Sequence, residues 1–215
     1  GAVDRNIRPN GVVFQRQSWA HDMRGSLLYL SDPSILNVEG MSLGWGQTPL
    51  DMKFFPSFAA EVAKTFSVWL EIDNRVYAGS SAGGYQAAAA AVFDENARAW
   101  VNNAQFDWTR YESVTSVNRV VNMLGFSTVE ELKRSAALRT SIPALIEREQ
   151  SAPRISYQLN VESSTDVVRQ LPVFQELDGK VELCEYHDSA SGHNPLLRHE
   201  WCRALVEFGL SDRLR

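Results

Sequence analysis

A chain of 215 residues and 24.1 kDa has room for one domain of ordinary to large size. Its residues are 44% hydrophobic and 22% charged, a globular composition and not a disordered one. With 21 Lys and Arg against 26 Asp and Glu, and a formal net charge of −5, no basic surplus remains for a sequence-independent nucleic-acid surface.

Short β-branched or aromatic runs alternate with helical stretches along the chain. The first predicted strand is Gly11–Gln15 and the second is Ser26–Leu30, which stops at the turn cluster Ser31-Asp32-Pro33. A loop with Gly40, Gly44, Gly46 and Pro49 follows. Phe58, Val62, Ala63 and Phe66 then recur at helical spacing, predicting a helix over about Ser57–Phe66. A third strand, Arg75–Ala78, leads into a helix from about Ala82 to Phe93, and a fourth covers Ala99–Asn102. Residues 105–153 read as helical and irregular, with helical pieces near Val114–Leu124, Val129–Leu138 and Ala144–Gln150. Then come a strand at Arg154–Leu159, a helix near Val167–Leu177 and a strand at Lys180–Tyr186. A final helix near Pro195–Phe208 carries the stripe Leu197, Trp201, Leu205 and Phe208. About six strands alternating with helices predict an α/β fold, a mostly parallel sheet in a three-layer sandwich with helices on both faces. In such sheets the working site lies at the carboxyl ends of the strands.

No apolar run approaches the ~20 residues of a membrane-spanning helix. The longest, Ala87–Phe93, is mostly alanine. The start lacks a charged-then-apolar signal segment, and its missing Met suggests a processed or engineered N-terminus. Cys184 and Cys202 make no disulfide framework, and no Cys/His spacing resembles a zinc site. The expectation is a cytoplasmic protein with no cofactor, no nucleic-acid partner and no membrane span, compatible with homo-oligomerisation.

The third strand runs into Gly79-Ser80-Ser81-Ala82-Gly83-Gly84 and then a helix. This is G-x-S-x-G in the strand–turn–helix setting of a nucleophile elbow. Glycines before and after the central serine let backbone pack tightly around the turn. The helix that follows offers free N–H groups to an oxyanion. Only Ser81 has glycine at both −2 and +2, so Ser81 and not Ser80 is the candidate nucleophile. A phosphate-cradling loop is disfavoured, because no Gly-Lys-Ser/Thr follows and the dinucleotide glycine spacing is absent.

A serine hydroxyl needs a base, and the base an orienting carboxylate. His193 lies in Ser191-Gly192-His193-Asn194-Pro195, between the last strand and the last helix, and is the preferred base. His187, at the end of that strand, is the runner-up; His199 falls inside the terminal helix and His21 lies after the first strand. Asp166, between the penultimate strand and the next helix, is the preferred acid even though it also suits a helix cap. Glu162 is the second choice, and Asp188 is too close in sequence to His193.

The order Ser81, Asp166, His193, each after a parallel strand, resembles the α/β-hydrolase superfamily over essentially the whole chain, with a shortened N-terminus. That resemblance implies an oxyanion hole from the backbone N–H of Ala82 and a second N–H within Gln17-Ser18-Trp19. It also implies that 105–153 is a small helical cap on a single domain covering 1–215. The elbow Gly79–Tyr85, the stretch Asn102–Trp108 and the closing Gly192–Pro195 are similar to compact α/β-hydrolase proteins of bacterial surface-polysaccharide and glycoprotein gene clusters. Some of that group transfer acetyl groups to sugar hydroxyls.

Trp19 and Trp45, in loops after the first two strands, and Trp108 and Tyr111, in the insert, are candidate substrate contacts on an aromatic rim. Phe106, Val117, Val120, Met123 and Leu124 would roof the site, and Asp107 and Arg110 would meet a polar substrate. The leading expectation is a serine hydrolase cleaving a carboxylic ester, such as an acylated carbohydrate. The alternatives are an O-acetyltransferase using the same triad and a non-catalytic binding or assembly subunit retaining the fold.

Overall fold

A computed structural model describes residues 12–38, 40–151, 153–177 and 181–210. In chain order the elements are α1 (Ser34–Asn37), α2 (Phe55–Trp69), β1 (Arg75–Ser80), α3 (Ala82–Val92), β2 (Ala97–Asn102), α4 (Val114–Met123), α5 (Val129–Ala136) and α6 (Ile142–Glu149). Then follow β3 (Arg154–Asn160), α7 (Ser164–Arg169), α8 (Leu171–Gln175), β4 (Val181–Tyr186) and α9 (Arg198–Leu210), with short 3-10 turns at Gln17–Asp22, Trp108–Arg110 and Ala137–Arg139.

The four strands form one all-parallel sheet in the order β1-β2-β3-β4. Helices flank it, so the molecule is a three-layer α/β fold. β2 is buried along its whole length, as a central parallel strand covered on both sides must be. Its side chains alternate between two cores. Ala99 and Val101 join Ile155, Tyr157 and Leu159 of β3, the alanines of α3, and Val117, Val120, Leu132, Ile142, Leu145, Val173 and Phe174 of α4, α5, α6 and α8. Trp100 faces the other way, onto Trp201, Cys202 and Phe208 of α9.

Two expectations are corrected. Six strands were predicted, whereas the described residues hold four. Within the first candidate, Val12–Gln15 form no strand and Gly11 lies outside the described residues; the second, Ser26–Leu30, is also unpaired. An apolar run specifies a strand only if an edge receives it, and no ladder bond joins these segments to β1. A groove of about 640 Å³ lies along that edge instead, lined by Val13, Leu28 and Leu30 on one side and Val76, Ala78 and Phe66 on the other. Helices cover both faces as expected, and those connecting β1 to β4 share one core, because consecutive strands added in one direction turn each crossover to the same side. The other face is covered by α9 and the 3-10 turn that holds Trp19. The second correction is that the helix predicted over Val167–Leu177 is two helices, α7 and α8, divided where Pro172 enters the first turn of α8. The expectations about the first residues of the chain fall outside the described residues.

Candidate active site

Four loops at the carboxyl end of the sheet meet in one place. Ser81 caps α3 directly after β1, with φ 53° and ψ −125°, a conformation few residues other than glycine adopt. The crowding around it explains the turn's composition. A Cβ on Gly79 would lie 2.1 Å from the Gly83 carbonyl oxygen, and one on Gly84 would lie 2.5 Å from the Ala104 Cβ. The N–H groups of Gly84 and Tyr85 donate to the Ser81 carbonyl at 3.0 and 3.2 Å. The N–H groups of Ala82 and Gly83, in the first turn of α3, have no carbonyl one turn back to bond. They project from the positive end of the helix beside the serine.

The Ser81 hydroxyl lies 2.9 Å from His193 Nε2, and His193 Nδ1 lies 2.7 Å from Asp166 Oδ2. Asp166, in the first turn of α7, is wholly buried and its Oδ2 also accepts from the Ser163 hydroxyl at 2.5 Å. A carboxylate only accepts, so the proton of the neutral imidazole sits on Nδ1 and the Nε2 lone pair faces Ser81. The runner-up residues stand apart. His187 and Glu162 pair with each other at 3.1 Å near the surface.

Residues that the sequence did not nominate build the frame. Asn102 and Asn160 end β2 and β3, Asn103 follows Asn102, and all three are wholly buried. Asn103 Nδ2 donates to the His193 and Asn194 carbonyls at 3.2 and 3.0 Å. Asn160 Nδ2 donates to the Asp188 and Gly192 carbonyls, each at 2.8 Å. Asn102 Oδ1 accepts from the Leu196 N–H at 2.8 Å. The histidine loop is therefore held by side-chain amides reaching up from the sheet. Polar residues at the carboxyl ends of otherwise apolar strands are the signal that could have marked them. Gln105 is the fourth amide: its Nε2 is 3.1 Å from Ser81 Oγ and 3.3 Å from His193 Nε2.

The aromatic candidates divide. Tyr111 is half-buried with its ring centre 6.3 Å from that of His193; burial, with Glu112 and Asp166 nearby, pushes its phenol up, so the hydroxyl keeps its proton. Trp45 and Trp108 are wholly buried and stacked at 5.2 Å, so neither belongs to an open rim. Their indole N–H groups need acceptors and find Gln105 Oε1 and the Arg139 carbonyl. Trp19 lies on the α9 face, edge-on to Trp201 at 6.3 Å, beside the Arg16 guanidinium. Arg16 crosses towards the site, donating through Nη2 to Ser80 Oγ at 2.7 Å, and burial lowers its pKa to about 10.

Gln17 and Ser18, the candidate second oxyanion donors, are exposed in the 3-10 turn. The Gln17 N–H is already given to the Phe14 carbonyl at 3.3 Å, because that bond closes the turn. Asp107 is buried and bound to Lys133 at 2.8 Å, Arg110 at 3.5 Å and the Thr109 N–H at 2.9 Å, so it organises its own loop instead of facing a substrate. The segments of 105–153 that were read as a roof place Phe106, Val117, Val120 and Leu124 in the main core.

Among the described residues no three His, Cys, Asp or Glu side chains converge as a metal site, and no helix is long and apolar enough to cross a membrane.

No protein-family model and no curated protein matches the chain. Among solved structures the chain is similar to a carboxylesterase of the ammonia-oxidizing thaumarchaeon Nitrososphaera gargenis. The match covers 74% of this chain and 71% of that one, at 13% identity and a TM-score of 0.41.

Proposed function

We propose that the protein is a serine hydrolase that cleaves a carboxylic ester, such as an acylated carbohydrate, through an acyl-enzyme on Ser81. The observation that carries this reading is the unbroken chain from Ser81 Oγ to His193 Nε2 at 2.9 Å and from His193 Nδ1 to Asp166 Oδ2 at 2.7 Å. A hydroxyl, an imidazole and a buried carboxylate in that order are the parts of nucleophilic acyl transfer.

In the first half-reaction Ser81 Oγ forms a bond to the acyl carbon while its proton passes to His193 Nε2. The carbonyl electron pair moves onto oxygen, where the Ala82 N–H at the start of α3 stabilises it. The oxyanion then re-forms the carbonyl and expels the alcohol, which takes the proton from His193. In the second half-reaction water attacks the acyl carbon, His193 removes its proton, and Ser81 leaves with that proton restored. Asp166 holds the imidazole in the Nδ1–H tautomer and stabilises it when charged.

The test is labelling with a fluorophosphonate probe beside hydrolysis of a panel of esters, varying acyl length and including sugar acetates. Wild-type protein is expected to be labelled and to turn over at least one ester class, and Ser81→Ala to lose both by about a thousandfold or more. Folded wild-type protein that takes no label and cleaves nothing would refute the proposal. Adding free sugars to the assay separates transfer to a sugar hydroxyl from transfer to water.

A further inference from the structure

We infer that Gln105 is a positioning residue that directs the Ser81 proton to His193, and that Trp45 sets the orientation of its amide. This rests on Ser81 being the nucleophile. Gln105 is buried with both ends of its amide engaged. An indole N–H can only donate. The Trp45 Nε1–H lies 3.0 Å from Gln105 Oε1, so the amide oxygen belongs on the tryptophan side and the nitrogen on the side of Ser81 and His193.

That orientation matters because Ser81 has one proton and two nearby acceptors. His193 Nε2 is at 2.9 Å and Gln105 Oε1 is at 3.3 Å. A proton given to the amide oxygen is unavailable to the base. Two contacts act against that outcome. The Trp45 N–H takes one of the two lone pairs of Oε1, and the Gln105 Nε2–H donates into a lone pair of Ser81 Oγ from 3.1 Å. The hydroxyl is left with one lone pair engaged and its shorter acceptor contact, 2.9 Å, to the imidazole.

The brace is itself held in place. Trp45 sits at φ 53° between two glycines. The Gly46 N–H donates to Asp32 Oδ2 at 2.8 Å, and the same oxygen accepts from Gln86 of α3 at 2.9 Å. The Trp45 ring stacks on Trp108 and meets the edge of Tyr111 at 5.5 Å. The loop is thereby tied to the helix that Ser81 begins, so the indole and the serine are fixed relative to each other.

Three variants separate positioning from packing. Gln105→Leu keeps most of the volume and removes both amide ends. Gln105→Glu keeps the shape and the bond from Trp45 but replaces the donor facing Ser81 with an acceptor. Trp45→Phe keeps an aromatic ring in the stack and frees Oε1. Fluorophosphonate labelling rate, ester kcat and KM, and melting temperature are measured for each. Labelling and kcat are expected to fall together by at least about tenfold in Gln105→Leu, further in Gln105→Glu, and several-fold in Trp45→Phe, with KM within about twofold of wild type.

Folded Gln105→Glu protein that labels at the wild-type rate, or that loses activity through KM alone, overturns the inference even if Gln105→Leu fails to fold. If instead the wild type takes no label, or Ser81→Ala is labelled equally, the nucleophile reading falls and this inference with it.

Discussion

Asp94 shows how a single buried charge is kept in this protein. Its carboxylate receives the Arg75 guanidinium through two bonds, at 2.6 and 2.7 Å, and the Tyr77 hydroxyl at 2.9 Å. Burial pushes the carboxyl up, but the hydrogen bonds from Arg75 and Tyr77 and the Arg75 charge outweigh it, holding Asp94 below its ordinary value. A carboxyl lowered in the folded state binds fewer protons there than when unfolded, so its contribution is present above the ordinary value of 3.8 and is lost as pH falls through the lower folded value. Asp94→Asn is expected to cost about 3 kcal/mol at neutral pH, because Arg75 loses its charged partner, and less in acid. Urea melts at neutral and acidic pH check both; an equal loss at both would show that the charge is not what matters. Ser81, Asp166 and His193 could be nominated from the sequence because each residue type follows a strand end. Gln105, Asn102, Asn103 and Asn160 could be marked only as polar residues near strand ends, because an amide acquires its role from partners 24 to 94 residues away. Trp45 was misplaced for the same reason: nothing local distinguishes an indole on a rim from one bracing a buried amide.

The turn between β1 and α3 concentrates its constraints in a few atoms. Gly79→Ala would push a methyl group against the Gly83 backbone, which cannot move without shifting the start of α3. The expected cost is about 3 kcal/mol, with a loss of labelling beyond that of an equally destabilised core variant, measured by melts and probe kinetics together. A wild-type melt with wild-type labelling would contradict the crowding. Strands and helices inside the sheet region were legible because β-branched runs alternate with apolar helical spacing. The limits were set by non-local bonds. Ser26–Leu30 looks like a strand because four of its five residues are Leu or Tyr, yet pairing depends on an edge that local pattern does not encode. The break between α7 and α8 depends on Pro172 and on Gln170, whose side chain turns inward to accept from the Phe106 and Asp107 N–H groups at 2.9 and 3.1 Å.

At the scale of the molecule, the sheet separates two cores of unequal size. Leu132, on α5, belongs to the larger, and Trp201, on α9, to the smaller, where it meets Trp100 edge-on at 4.4 Å. Leu132→Ala is expected to cost about 3 kcal/mol and Trp201→Phe about 2 kcal/mol, and the pair to add within about 0.5 kcal/mol because the sites share no partner. Denaturant melts of the two singles and the double variant check this; a larger coupling would mean the sheet transmits strain between its faces. The parallel alternation that predicts such a sheet could be read from the sequence, but not which face each helix takes, because one-directional strand order is a property of the assembled sheet. The distance along the chain between the serine and the histidine is 112 residues. At about 5–20 residues per second of synthesis, roughly ten seconds separate the emergence of the two groups from the ribosome. The Ser81 hydroxyl is therefore made well before the imidazole that lies against it in the folded chain.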